Sequence, residues 1–191
     1  MDLHKFGIKF FATDGDRIDI LKLIPIYHRW IQQNALDDLL IDVADYSHVP
    51  AGPGVMLIAH EGNYALDETG HERGVVYYSK HRLAGDLPER LAQVARKALK
   101  AAELLSSDPE LQGALKLPGN RLQFFANDRL VAPNNDASYA ELAPALETFL
   151  RRLYAGAPYA LTRETDPGER LSVRVQAEGE VPVKVLLERL A

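Results

Sequence analysis

Six histidines, His4, His28, His48, His60, His71 and His81, all fall in the first half of a 191-residue chain that contains no cysteine. Without thiols there is no disulfide, thiolate zinc site, iron–sulfur cluster or cysteine nucleophile, so any chemistry rests on imidazole, carboxylate, hydroxyl and phenol groups. These groups are densest at Asp42, Asp45, Tyr46, His48, His60, Glu61 and Tyr64. Hard divalent cations take carboxylate oxygens, while zinc, manganese and iron accept mixed imidazole and carboxylate ligands. The stretch is therefore a candidate binding or acid–base site, and a divalent metal is the one cofactor it suggests. A regular strand over residues 39 to 45 would place Leu39, Ile41, Val43 and Asp45 on one face and Leu40, Asp42 and Ala44 on the other. Two sets follow: Asp42 with His60 as the metal pair, or Asp45 with His48 and Glu61. Neither has the spacing of a known metal motif, since no second His stands four residues after His60. The plainer role for such strand-end groups is to cap backbone amides and turns.

Three other groupings bear on chemistry. His28 and Arg29 sit on the polar face of an expected helix, where they would bind an anionic ligand or simply be solvated. Asp45, Ser47 and His48 have the composition of a hydrolytic triad, but residues one apart seldom aim at each other and no Gly-x-Ser-x-Gly turn is present. Gly52-Pro53-Gly54 offers backbone amides to an anion, yet Pro53 has no N–H and a strand follows. No Walker sequence or Gly-x-Gly-x-x-Gly fingerprint occurs.

The elements that must position these residues are legible from local pattern. Residues 7 to 12 read as a strand ending in a turn at Asp14-Gly15-Asp16. Pro25 belongs in the first turn of a helix that buries Ile26, Trp30 and Ile31 and ends near Asn34. Residues 39 to 45 and 55 to 59 form two strands around the turn Pro50 to Gly54, and 63 to 68 with 74 to 79 form a hairpin. Asp86 and Glu89 have capping-box spacing, and Leu87, Leu91, Val94, Ala98, Ala101 and Leu105 recur every three or four residues, which predicts a long helix. A strand over 121 to 126, a helix over 138 to 154 with Ser138 and Glu141 as its capping pair, a hairpin across Asp166-Pro167-Gly168 and a last helix over 183 to 190 complete the chain. The adjacent pairs Phe10-Phe11 and Phe124-Phe125 alternate sides of their strands, so one ring of each faces the core and the other packs under a helix.

The halves resemble each other. Phe10-Phe-Ala-Thr-Asp14 returns as Phe124-Phe-Ala-Asn-Asp128, preceded by the matches Ile8 with Leu122 and Lys9 with Gln123. Pro25 then aligns with Pro144 and Trp30 with Phe149, and the order strand, helix, strand, strand is shared. The expected fold class is α+β. One domain spans residues 1–191, made of two pseudo-symmetric β-α-β-β units, approximately 7–84 and 121–191, joined by the helical segment 86–106, with a mixed or antiparallel sheet and packed helices. The histidines place any site in the first unit.

Lys and Arg number 22 against 27 Asp and Glu, a formal charge of −5, so no nucleic-acid partner is expected. No apolar run approaches the roughly 20 residues of a membrane span or suits a signal peptide, which makes a soluble cytoplasmic protein with no membrane partner the expectation. These features select a small-molecule or protein-binding module that uses the concave junction between the units or an exposed sheet edge. The alternative is a metal-dependent or Asp/His acid–base enzyme, a hydrolase or isomerase of a small polar substrate. A homodimer is the default assembly.

Overall fold

All six residues of Phe6–Phe11 (β1) are buried, as happens in a strand covered on both faces of its sheet. Phe6, Ile8 and Phe10 point into the main core, and Gly7, Lys9 and Phe11 alternate to the opposite face. The structure, a computed structural model, describes residues 1–13, 18–49 and 52–191. The expected turn at Asp14 to Asp16 and the Pro50-Ala51 part of the second turn lie outside the described residues.

Leu23–Gln33 (α1) follows with Pro25 in its first turn, and Leu23, Ile26, Tyr27 and Trp30 make its buried stripe. Asn34 ends it in the left-handed conformation at φ 47°, with its N–H on the Ile31 carbonyl. Leu40–Tyr46 (β2), Gly54–Ala59 (β3), Gly62–Asp67 (β4) and Gly74–Ser79 (β5) come next, then Leu87–Ser107 (α2). The Asp86 side chain accepts from the Glu89 N–H at 3.0 Å, as its spacing predicts. Asp108 and Pro109 stop the helix and begin a short 3-10 turn. The second half runs Arg121–Ala126 (β6), Asp136–Leu153 (α3), Tyr159–Arg163 (β7), Ser172–Ala177 (β8) and Val183–Leu190 (α4).

The eight strands form one antiparallel sheet in the order β2-β3-β4-β5-β1-β6-β8-β7. This is a single α+β domain whose sheet is wholly antiparallel. The helices share one core with the sheet face bearing Phe10, Leu57, Tyr77, Leu122 and Val173. Among the described residues the other face carries no α-helix, and its apolar side chains form a smaller cluster of Met56, Ala65, Val76 and Phe125.

Three local expectations change. β2 is not a regular strand: a bulge between Leu40 and Asp42 inserts one residue, so Leu40 shares the core-facing side with Val43 instead of lying with Asp42. The cap of α3 is Asn135, whose Oδ1 accepts from the Ser138 N–H at 2.9 Å, while Glu141 pairs with the N-terminal ammonium. Phe11 and Phe125 do not pack under helices, because α1 to α4 lie on the other face; arginines cover them instead.

Candidate functional site

The helix-free face is concave, and its main cleft of about 570 Å³ lies over the middle of the sheet. Lys9, Val76, Gln123 and Arg174 form one cross-strand row of the floor, because register pairs Val76 with Lys9, Lys9 with Gln123 and Gln123 with Arg174. The next row holds Tyr78, Phe125 and Ser172 on either side of Gly7. Asp67, Thr69, Gly70 and Pro53 wall one side, and Glu164, Glu169 and Arg170 of the β7–β8 connection wall the other.

Glycine at position 7 is dictated by this arrangement, since a Cβ there would overlap the Phe125 ring. Across that ring lies Arg170, its guanidinium carbon 3.8 Å from the ring centroid. Such stacking uses the negative face of the aromatic ring and leaves the guanidinium edge open. Among the described residues the side chain makes one hydrogen bond, to Asn127 Oδ1 at 2.9 Å, and has no carboxylate within 4.0 Å. Burial draws its pKa below the ordinary arginine value, with Asp67 and Glu169 acting on it through space.

The other cations here are matched. Lys9, 3% exposed, donates to Asp67 Oδ2 at 2.5 Å and to the Glu72 carbonyl at 2.6 Å. Burial lowers its pKa, and the Asp67 charge opposes that shift. Glu72 receives Arg121 on one carboxylate oxygen at 2.6 Å and Arg174 on the other. Partial burial alone would raise the Glu72 carboxyl; the two guanidinium groups outweigh it and hold the carboxyl below its ordinary range. Lys9, Arg121 and Arg174 all lie within 5.4 Å of the Phe11 ring centroid.

The residues singled out from sequence lie elsewhere. Asp42 is exposed on β2, and its Oδ1 accepts from the Val43 N–H at 2.8 Å. Asp45 turns back on the Ser47 N–H at 2.8 Å, the backbone-capping role, and hydrogen bonding to Ser47 lowers its pKa. His48 and His28 are exposed. Arg29 is engaged by Asp108 and by Glu110, the latter at 2.9 Å, so it ties α1 to the 3-10 turn after α2. His60 meets Glu61 at 3.1 Å and lies 5.6 Å from the His81 ring, in a largely exposed position. Among the described residues no three His, Asp or Glu side chains gather in a group suited to a metal ion.

Tyr64 is buried with its hydroxyl donating to Asp38 Oδ2 at 2.5 Å and its ring 4.7 Å from Tyr77. Lys97 of α2 completes an ion pair with Asp38. Burial first, and then Asp38, pushes both phenols far above the ordinary tyrosine range. Both phenols are neutral; Tyr64 joins the sheet to α2 through Asp38 and Lys97, and the Tyr77 ring lies 5.5 Å from the Lys97 ammonium. A second recess of about 530 Å³ shares Thr69 and Gly70 with the cleft and includes Tyr46, Ser47, His71 and Arg73. Its Arg73 is paired with Glu68 at 2.7 Å.

Reading by composition missed Lys9, Asp67, Arg170 and Arg174. One signal was present: Lys9 interrupts the otherwise apolar Phe6-Gly-Ile-Lys-Phe-Phe11, and a buried lysine requires a partner. Compared with models of protein families, with curated proteins and with solved structures, the chain matches none.

Proposed function

We propose that this chain is a binding module whose small-molecule ligand sits in the cleft on the helix-free face, at the junction of two units descended by duplication. One observation carries the binding reading: a concave space of about 570 Å³, floored by regular strands, contains a partly buried guanidinium with no carboxylate at ion-pair distance among the described residues. Small-molecule sites usually have volumes of about 300–1,000 Å³ and combine an apolar lining with a few placed polar groups. Val76, Tyr78 and Phe125 supply the first here, and Gln123, Ser172 and Arg170 the second.

Strand register supports the duplication. Two equivalent antiparallel neighbours are related by a twofold axis only if the ladder is centred on equivalent residues. Lys9 and Gln123, matched by sequence, are direct partners, and Ile8 pairs with Phe124 as Phe10 pairs with Leu122. Connectivity agrees: β1-α1-β2-β3 and β6-α3-β7-β8 each run from the centre of the sheet to its edge and back one place, with β4-β5 inserted in the first. Pro25 and Pro144 occupy different turns, the first turn of α1 and the interior of α3, because α3 starts further upstream of its proline. The axis then passes through the floor of the cleft.

The test is amide chemical-shift mapping with a panel of benzoate, phenyl phosphate, benzylamine, benzyl alcohol and glucose. At least one member is expected to shift Lys9, Val76, Gln123 and Ser172 while leaving α1 unmoved, and Gln123→Trp, which obstructs the floor, is expected to abolish the response. No shift from any member at millimolar concentration, or a response that survives the obstruction in a folded variant, overturns the reading.

A protein contact along β2 is favoured by a separate observation. This edge strand and the residue before it expose Ile41 by 54% and Leu39 by 66%. Sedimentation of the wild type and Ile41→Lys is expected to reveal a concentration-dependent dimer lost in the variant; a monomer throughout removes this second reading.

A further inference from the structure

We infer that the ligand of the cleft joins a single oxyanion, a carboxylate or phosphate monoester, to an apolar body of ring size, and that Arg170 receives the oxyanion. The inference rests on the cleft being a small-molecule site and specifies what it takes. The floor and its near edge hold four cationic side chains, Lys9, Arg121, Arg170 and Arg174, against the carboxylates of Asp67 and Glu72. Three cations spend their charge on those two carboxylates. Arg170 remains, and guanidinium has five N–H donors, of which one hydrogen bond to Asn127 Oδ1 uses one.

Geometry then sets the ligand's shape. The guanidinium carbon sits 3.8 Å over the Phe125 ring, and the group's donors radiate in its own plane, the direction in which it grips two oxygens of an oxyanion. Next to it the floor is apolar, from Val76, Phe125 and the ring of Tyr78, which suits the body of the same molecule. Glu164 and Glu169 on the rim limit the ligand to one anionic group, because a second would be repelled there. Glu164 is also spoken for in part, its Oε1 accepting from the Asp166 N–H at 3.0 Å.

Titration calorimetry with benzoate, phenyl phosphate, benzylamine and benzyl alcohol tests the assignment on the full chain. Benzoate or phenyl phosphate is expected to bind, and the stronger of the two identifies the oxyanion. Arg170→Met is expected to weaken that binding by roughly ten- to a hundredfold, the range for a hydrogen-bonded charged contact. Arg170→Lys should fall between the two, since it keeps the charge and loses the planar fork. Unfolding midpoints of both variants separate lost contact from lost fold, and tighter binding at low ionic strength is expected of the wild type and Arg170→Lys but not of Arg170→Met. If benzylamine or benzyl alcohol binds in the cleft and the anions do not, the oxyanion assignment fails while the binding reading stands. The assignment fails in the same way if the anions bind equally well to folded Arg170→Met. If none of the four binds, this inference falls, and the cleft reading falls with it when glucose also shifts nothing in the mapping panel.

Discussion

Gly7 shows how a single missing carbon organises the helix-free face. With no Cβ below it, the Phe125 ring lies over β1, and Arg170 can then lie over the ring. Gly7→Val should force that stack apart. The expected cost is about 1–3 kcal/mol of stability, as for an overpacked site, measured by urea unfolding, together with weakened anion binding although residue 7 carries no charge. A stable variant with unchanged binding would mean that the stack is not what orients Arg170. Glu72 belongs to the same scale. Its carboxyl is held below its ordinary value of 4.5, so its contribution to stability is present above that pH and is lost as the pH falls through the lower folded-state value. Glu72→Gln should be less stable than the wild type at neutral pH, with the gap closing in acid below about pH 4.5. A gap independent of pH would show that the Arg121 and Arg174 pairs contribute nothing through charge.

At the scale of elements, α2 joins strands of the first half to helices of the second. Leu91, Val94, Ala98, Leu99 and Leu105 are fully buried, and the helix packs on β1, β5, α3 and α4. Leu99→Ala leaves a cavity in the main core and should cost about 2–5 kcal/mol. Asp86→Ala removes only the cap on the Glu89 N–H and should cost about 1 kcal/mol. Thermal or urea denaturation of the pair ranks them; equal effects would contradict the burial of Leu99. Helix α2 was also the element most legible in sequence, since its cap, its three-and-four spacing and its Asp-Pro stop are all local. The bulge in β2 was not, because nothing in Leu39-Leu-Ile-Asp-Val records that β3 pairs Ala59 with Leu40 and Ile58 with Asp42. One inserted residue changes which side chains share a face: Leu40 joins Val43, while Asp42 and Asp45 keep the opposite faces that alternation assigns them.

For the whole molecule, the continuous sheet and shared core predict cooperative unfolding in one step. Trp30 in α1 reports on the first half, and far-UV circular dichroism on every element. Their denaturation curves should coincide, and a fragment of residues 1–84, deprived of β6 beside β1 and of α2 over the core, should not fold. A folded fragment or two separated transitions would divide the domain. At this scale, sequence by itself determined what hydrogen bonding and periodicity settle within a few residues: the helices, the hairpins, the α+β class and the exclusion of thiol chemistry. It also contained the Lys9 and Gln123 match. Only tertiary structure decided which strands are neighbours, and therefore that Arg121, Arg170 and Arg174, distant in sequence from Lys9, Phe11 and Asp67, meet them on one face. The histidine-rich stretch drew attention because composition is counted along the chain, whereas a site is assembled across a sheet, where neighbouring side chains come from strands far apart in sequence.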